Sequence, residues 1–448
     1  MSDIFSKKEG GLDAPTRNPV KWKDVSFYEK NEFLEESERV YDVCHTCRRC
    51  VSLCESFPTL FDLIDESKTY ELDSVDKEDF QKVVDECYMC DLCYQTKCPY
   101  VPPHPWAIDF PHLMLRGKAI AFKEKQKSLL KRFRDKILTS TDTLGKVMKI
   151  PLVDITYDWF VKNPSIKKKI APLLGVHADA PFPKFDKTVL NYTPRPVKET
   201  KIAGPTTGKV SIFAGCYCRN NEPGIANDLK AVLEHNNIEV KFMIDEKCCG
   251  MPKLDLGDLE SVEKSMLHNL PLLLKEISQG FDVISLVPSC VLMFKQELPL
   301  IFSENEDLQK IKKHIFDPFE YLSFRDEAGL LEKDFKSSLG KISYQVACHQ
   351  RVQNIGPKTK NLLEMIPETQ VETIERCSGH DGTYAVKKET HKNSVKIARP
   401  VSNKVDKAEP DYLTSDCPLA AEQIKHVSKS KPDSAHPISL LKKAYGME

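Results

Sequence analysis

The sequence predicts a multidomain chain: an α-helical N-terminal region followed by two α/β domains on parallel sheets. Three observations carry this. Cysteines crowd into two C-x2-C-x2-C runs before residue 100. The segment between those runs repeats its apolar residues at helical spacing. From about residue 207, strand-like and helix-like segments alternate, and the alternation restarts after residue 330. The implied domains are 1–135, a helical and proline-rich linker at 136–206, 207–330, and 331–448.

In the first region Phe57, Leu60, Phe61 and Ile64 fall at i, i+3, i+4, i+7, as do Phe80, Val83, Val84 and Cys87. Each set makes an apolar stripe on one helix face, and Asp76 is placed to cap the second helix. In the cysteine-free stretch from about residue 116 to 205, Leu129, Leu130, Phe133, Ile137 and Leu138 share a face opposite Lys and Arg. Two uses compete for that face: bracing the flanking domains, or lying on an anionic membrane surface. Prolines and charges from Pro181 to Pro205 read as extended chain. Beyond it, KVSIFAG, IEVKFMI and FDVISLV read as buried strands, with amphipathic helices between them. KISYQVACHQ, QVETIE and DYLTSDC repeat the layout, and both copies put cysteines just after strands.

Composition narrows the function. Lys plus Arg (65) nearly equals Asp plus Glu (66), so charge recommends no nucleic-acid partner. Mean hydropathy is negative and no apolar run is long enough to span a bilayer. The start MSDIFSKKEGG has no apolar export segment, so a cytoplasmic location is expected. The 16 cysteines in tight clusters then indicate metal rather than disulfides. No GxGxxG or P-loop pattern follows a strand, and no Ser–His or Cys–His pairing suggests hydrolysis. No residue is therefore assigned a catalytic role.

Cys44, Cys47 and Cys50 are followed by Cys54; Cys87, Cys90 and Cys93 are followed by Cys98-Pro99. Thiolates at every third position on a curling loop each reach a different iron of one cubane. In two-cluster ferredoxins the last cysteine of each run serves the other cluster. The expectation is two [4Fe–4S] clusters, one on Cys44, Cys47, Cys50 and Cys98, the other on Cys87, Cys90, Cys93 and Cys54. Structural zinc, which takes separated cysteine pairs, fits this spacing poorly. Cys54 departs from the ferredoxin pattern, since Glu55 and not proline follows it. His45 reads as a polar neighbour of a cluster and not as a ligand.

In the third region Cys216 ends the first strand, Cys248-Cys249-Gly250 follows the second, and Cys290 follows the third. Cys348, Cys377 and Cys417 hold the matching places in the second copy. This layout resembles the cysteine-rich CCG domain of the heterodisulfide reductase B subunit. Its relatives include the C subunit of anaerobic glycerol-3-phosphate dehydrogenase and iron–sulfur subunits of glycolate and lactate oxidation systems. The resemblance implies an α-helical ferredoxin-like domain with two [4Fe–4S] motifs followed by two CCG domains. Both copies depart from the family's five cysteines: Val287, Ser378 and Thr414 stand where cysteines belong. Cys218 is close enough in sequence to substitute in the first copy, and His380 or His349 in the second. A third iron–sulfur cluster or a zinc ion is the cofactor expected there.

The resemblance implies an electron-transfer subunit working between a flavoprotein dehydrogenase, or other redox partner, and an acceptor such as a membrane quinone. A peripheral place on the inner face of the cell membrane goes with that role. Supply of a soluble acceptor in rubrerythrin-type peroxide defence and heterodisulfide-type catalysis are the competing readings; the depleted cysteine sets weigh against the latter.

Overall fold

The computed structural model describes residues 14–195, 197 and 199–447; the MSDIFSKKEGG start lies outside the described residues. The chain forms two compact units. One runs up to Lys127 and takes in Lys253–Leu259 and Leu300–Glu304; the other comprises Ser128–Pro252, Glu260–Pro299 and the chain from Asn305 onward.

The first unit is helical. Helix α1 (Lys30–Cys47) buries Phe33, Val40 and Tyr41, α2 (Ser56–Asp65) buries Phe57, Leu60, Phe61 and Ile64, and α3 (Phe80–Asp85) buries Phe80, Val83 and Val84. Asp76 accepts the Glu78 N–H at 2.9 Å and so caps a short 3-10 turn that leads into α3. Helix α4 (Phe110–Lys123) closes the core, with Phe110 stacked on Phe57 at 4.6 Å between ring centroids. Each such buried aromatic contributes about 2 kcal/mol of hydrophobic stabilisation. Gly117 lets α4 come close: a Cβ there would stand 2.8 Å from Phe33 and 2.9 Å from Val84.

The second unit begins with four helices, α5 (Leu129–Thr139), α6 (Thr141–Val147), α7 (Pro151–Lys162) and α8 (Pro164–Ile170). The described residues from 181 to 200 then run without helix or strand. Strands β1 (Lys209–Phe213), β2 (Glu239–Phe242), β3 (Asp282–Ser285) and β4 (Ile315–Phe316) make a parallel sheet in the order β2-β1-β3-β4. Strands β5 (Gly340–Gln345), β6 (Thr369–Ile374) and β7 (Tyr412–Thr414) make a second parallel sheet in the order β6-β5-β7. Parallel pairing demands helical crossovers, and Leu259–Ser278 and His391–Ala408 are two of them. The β4 strand is an addition to the elements expected from sequence.

Helix α5 reverses the orientation its apolar stripe suggests. Leu129, Leu130 and Phe133 are 78%, 78% and 66% exposed, while Arg134 and Asp135 are buried. Arg134 donates to Asp135 at 2.8 Å and to Glu389 at 2.8 Å, so its charge is satisfied inside. Only the end of the stripe packs inward, Leu138 lying against Ala171, Val176 and Val386. Bracing within this unit thus runs largely through the charged side of α5.

Candidate metal centres

Cys44 and Cys47 lie in the last turn of α1, and Arg48, in the left-handed region at φ 48°, turns the chain sharply behind them. The loop from Cys87 to Cys93 contains two more left-handed residues, Met89 (φ 50°) and Asp91 (φ 59°). Such backbone is costly for residues with a Cβ, so it needs outside support. Arg17 provides it, bonding Asp91 at 2.5 Å and Asp109 at 3.0 Å. Past a single π-helical turn, Cys98 donates its N–H to the Cys93 carbonyl at 2.8 Å.

The sulfurs gather into two neighbouring groups. Burial, and then Cys98, Cys50 and Cys47, push the Cys44 thiol well above its ordinary value. Burial likewise raises Cys98, with Cys47 adding to it against the opposing amides of Tyr100 and Val101. Around Cys93, burial acts first and then Cys50, Cys90, Cys87 and Cys54. Cys98 therefore stands with the first triplet and Cys54 with the second, while Cys50 is near both.

Cys54, Cys87, Cys90 and Cys93 line a small cavity walled by Leu53, Phe57, Tyr88 and Phe110. Ligating thiols must be deprotonated, and four neighbouring thiolates, those of Cys87 and Cys93 buried, repel unless a cationic core lies among them. The donor set is soft sulfur throughout, which suits iron–sulfur clusters. The residues present therefore fit such a group. Lys118 ties the loop in place, its ammonium bonded to the Cys87 carbonyl at 2.7 Å and to Asp255 at 2.6 Å. His45 Nδ1 is 2.8 Å from the Arg48 guanidinium, which also bonds Asp65.

In the second unit Cys216 opens α9 (Gly215–Asn220) directly after β1, Cys248 and Cys249 follow β2, and Cys290 sits in the turn of helix after β3. These are the carboxyl ends of parallel strands, where open sheets place their ligands. Cys216 Sγ lies 3.7 Å from Cys248 Sγ. Cys248 is in hydrogen-bond reach of Cys249 as well, and Cys249 of Cys290. Cys218 is fully buried and feels Glu222, Cys290 and Cys417.

Sequence reasoning missed the residues that hold this loop. Asp142 on α6 accepts the Cys248 N–H at 2.9 Å, and the Thr141 hydroxyl lies beside Cys216 and Cys248. Asn269, fully buried, accepts the Lys247 N–H at 2.9 Å and donates to the Lys247 carbonyl at 3.1 Å. Nothing in a helical linker or mid-helix Asn marks them in advance.

In the second copy Cys348 follows β5, Cys377 follows β6, and Cys417 follows β7 as the N-cap of Pro418–Val427. Burial, then Cys377 and Cys417, push the Cys348 thiol well up, so the three stand together. The substituted positions have other work: the buried Thr414 hydroxyl donates to the Ala435 carbonyl at 2.7 Å. His349 Nδ1 pairs with Ser289 Oγ at 2.7 Å. Both ring nitrogens of His380 are buried without a hydrogen-bond partner. Among the described residues, no three His, Cys, Asp or Glu side chains stand as ligands of a single ion. Among the same residues no helix is long and apolar enough to cross a membrane.

The cysteine-rich domain family named CCG matches residues 210–295 and 342–425. The C subunit of the anaerobic glycerol-3-phosphate dehydrogenase of Escherichia coli K12 is 26% identical over 314 residues, covering 69% of this chain and 77% of the relative. Lactate utilization protein A of Oceanobacillus iheyensis is 27% identical over 213 residues, covering 46% and 83%. The protein of the same name from Shouchella clausii is 25% identical over 182 residues, covering 40% and 74%.

Proposed function

We propose that this chain, which carries two CCG cysteine-rich domains and is similar to the C subunit of anaerobic glycerol-3-phosphate dehydrogenase, is an iron–sulfur electron-transfer subunit. It relays electrons between a flavoprotein oxidoreductase and an acceptor such as quinone, at the inner face of the cell membrane. The observation that carries the reading is the exchange of trailing cysteines, Cys98 lying with Cys44, Cys47 and Cys50, and Cys54 with Cys87, Cys90 and Cys93. Each set would hold one [4Fe–4S] cluster, a one-electron carrier.

The chain's own residues set the conditions. The thiolates bind; Leu53, Phe57, Tyr88 and Phe110 keep water from one set. Arg17, paired with Asp91 and Asp109, and Lys118, paired with Asp255 and bonded to the Cys87 carbonyl, fasten that loop. The nearness of Cys50 to Cys93 keeps the two sites adjacent, as electron passage requires. Cys216, Cys248, Cys249 and Cys290 would hold a third metal group in the first CCG domain. The outward Leu129, Leu130 and Phe133 support attachment to a lipid surface.

Anaerobic purification with iron and sulfide analysis, followed by EPR after dithionite reduction, tests the reading. At least about eight irons per chain with two interacting cubane signals are expected. Zinc in place of iron overturns it.

A further inference from the structure

The second CCG copy has lost two cysteines of the family pattern, which suggests a decayed domain. Its local geometry points elsewhere. Cys348, Cys377 and Cys417 still gather at the carboxyl ends of three adjacent parallel strands. Cys377 begins a tight turn, Cys377-Ser378-Gly379-His380, in which the Gly379 N–H donates to Cys377 Sγ at 3.4 Å and the His380 N–H donates to Ser378 Oγ at 3.4 Å. Gly379, at φ +72°, makes the turn, and its Cα packs so closely on the following helix that a Cβ would stand 2.1 Å from the Ser394 carbonyl. The spacing is C-x2-H, with His standing three residues on, as the next cysteine does in a C-x2-C ligand turn.

His380 carries the second, independent observation. Nδ1 and Nε2 are both buried and both lack a hydrogen-bond partner. Leaving one buried polar atom unpaired costs about 1–3 kcal/mol, and here one ring has two. Such atoms are few in native structures, and a bound ion is one of the roles that accounts for them. His349, which follows Cys348 in the chain, is held by Ser289 at 2.7 Å. Three cysteines and a histidine would suit zinc or an iron–sulfur cluster, and the iron–sulfur reading of the chain favours the cluster.

We propose that the second CCG copy is a working iron–sulfur site held by three cysteines and one histidine: Cys348, Cys377, Cys417 and His380. The proposal rests on the iron–sulfur reading of the chain and extends it. A neutral imidazole in place of a thiolate removes one negative charge from the cluster's surroundings and raises its potential relative to an all-cysteine site, as histidine ligation does elsewhere. Asp381, which adds negative charge near Cys348 and Cys377, is the rival fourth donor.

The test uses the full chain, purified anaerobically and reconstituted with ferrous iron and sulfide. Wild-type protein should show nitrogen hyperfine coupling in pulsed EPR after reduction. Cys377→Ser and His380→Ala should each lose the same iron, about four per chain for a cubane. His380→Cys should keep that iron and lose the nitrogen coupling, and it answers the question even if His380→Ala misfolds. Unchanged iron in Cys377→Ser overturns the site. Both N-terminal cubane signals without nitrogen coupling overturn the His380 assignment and leave the relay standing. Nitrogen coupling without those cubane signals supports His380 and overturns the relay. Loss of that iron in Asp381→Asn but not in His380→Ala overturns the assignment in favour of Asp381.

Discussion

The Arg17 guanidinium holds the Asp91 carboxylate at 2.5 Å, with the two side chains only 6% and 2% exposed. The same group reaches Asp109 at 3.0 Å and lies 4.6 Å from the centre of the Tyr94 ring. Asp109, buried but facing His112 and Arg17, is held well below the usual carboxylate range. One arginine thus fastens the strained Cys90–Cys93 loop to the start of α4.

Removing one partner of a buried ion pair strands the other charge, at a cost of about 3–5 kcal/mol. Arg17→Met should therefore lower the unfolding free energy by about 3 kcal/mol or more. It should also loosen the loop that carries Cys90 and Cys93, so that iron is lost selectively from that set. Denaturant melts and iron counts on the anaerobic protein measure both; an unchanged iron count removes Arg17 from any supporting role.

Asp317 and Asp416 form a buried acidic pair in the second unit. Asp416 accepts from Tyr344 at 2.5 Å and from Thr359 at 2.9 Å; Asp317 accepts from Gln350 at 3.3 Å. Burial, then Asp416 and Glu320, push Asp317 far above the carboxylate range, against the opposing Lys295. Folded protein therefore keeps a proton that the unfolded chain releases above about pH 4. Stability is present below that pH and falls as pH rises through the raised folded value, about 8. Asp317→Asn keeps the helix cap and removes the penalty. Urea midpoints should show the variant gaining on wild type as pH rises from 5 to 8, by at least about 1 kcal/mol. Parallel pH profiles would show that Asp317 is ionised in the fold.

The helices and parallel strands were legible because their apolar residues keep a clean period. Phe57, Leu60, Phe61 and Ile64 announce α2, and β-branched runs announce β1 and β3. What was not legible has physical reasons. Strand β4 is two residues long, too short to carry a period. Helix α5 buries Arg134 because Glu389 meets it from 255 positions away, a partner no local pattern contains. His349 is held by Ser289, a residue of the other CCG copy and so a partner that no local pattern contains.

Gly145 shows how closely α6 approaches the first CCG site. A Cβ there would stand 2.4 Å from the Asn220 side chain, which donates to the Cys216 carbonyl at 2.9 Å. Asn220 is buried and has little room to retreat. Gly145→Ala should cost about 1–3 kcal/mol, as overpacking does. It should also displace the Cys216 turn, lowering metal retention at Cys216, Cys248, Cys249 and Cys290 while the N-terminal set keeps its iron. Equal retention in variant and wild type would show that α6 moves aside freely.

The outward apolar face of α5 is the feature that a membrane role needs and a soluble shuttle does not. Leu130 and Phe133 are one turn apart and well exposed, with Lys131 and Arg132 between them. Burying a leucine or phenylalanine side chain in lipid is worth about 1.5–3 kcal/mol, and each basic residue near an anionic surface adds about 1 kcal/mol. Wild-type protein should float with anionic vesicles at low salt. Leu130→Glu with Phe133→Glu should weaken that binding at least about tenfold, the equivalent of 1.4 kcal/mol. Because neither side chain is buried, the unfolding free energy should stay within about 0.5 kcal/mol of wild type. If wild-type protein ignores the vesicles, the face serves something other than lipid, and the inner-membrane location falls with it.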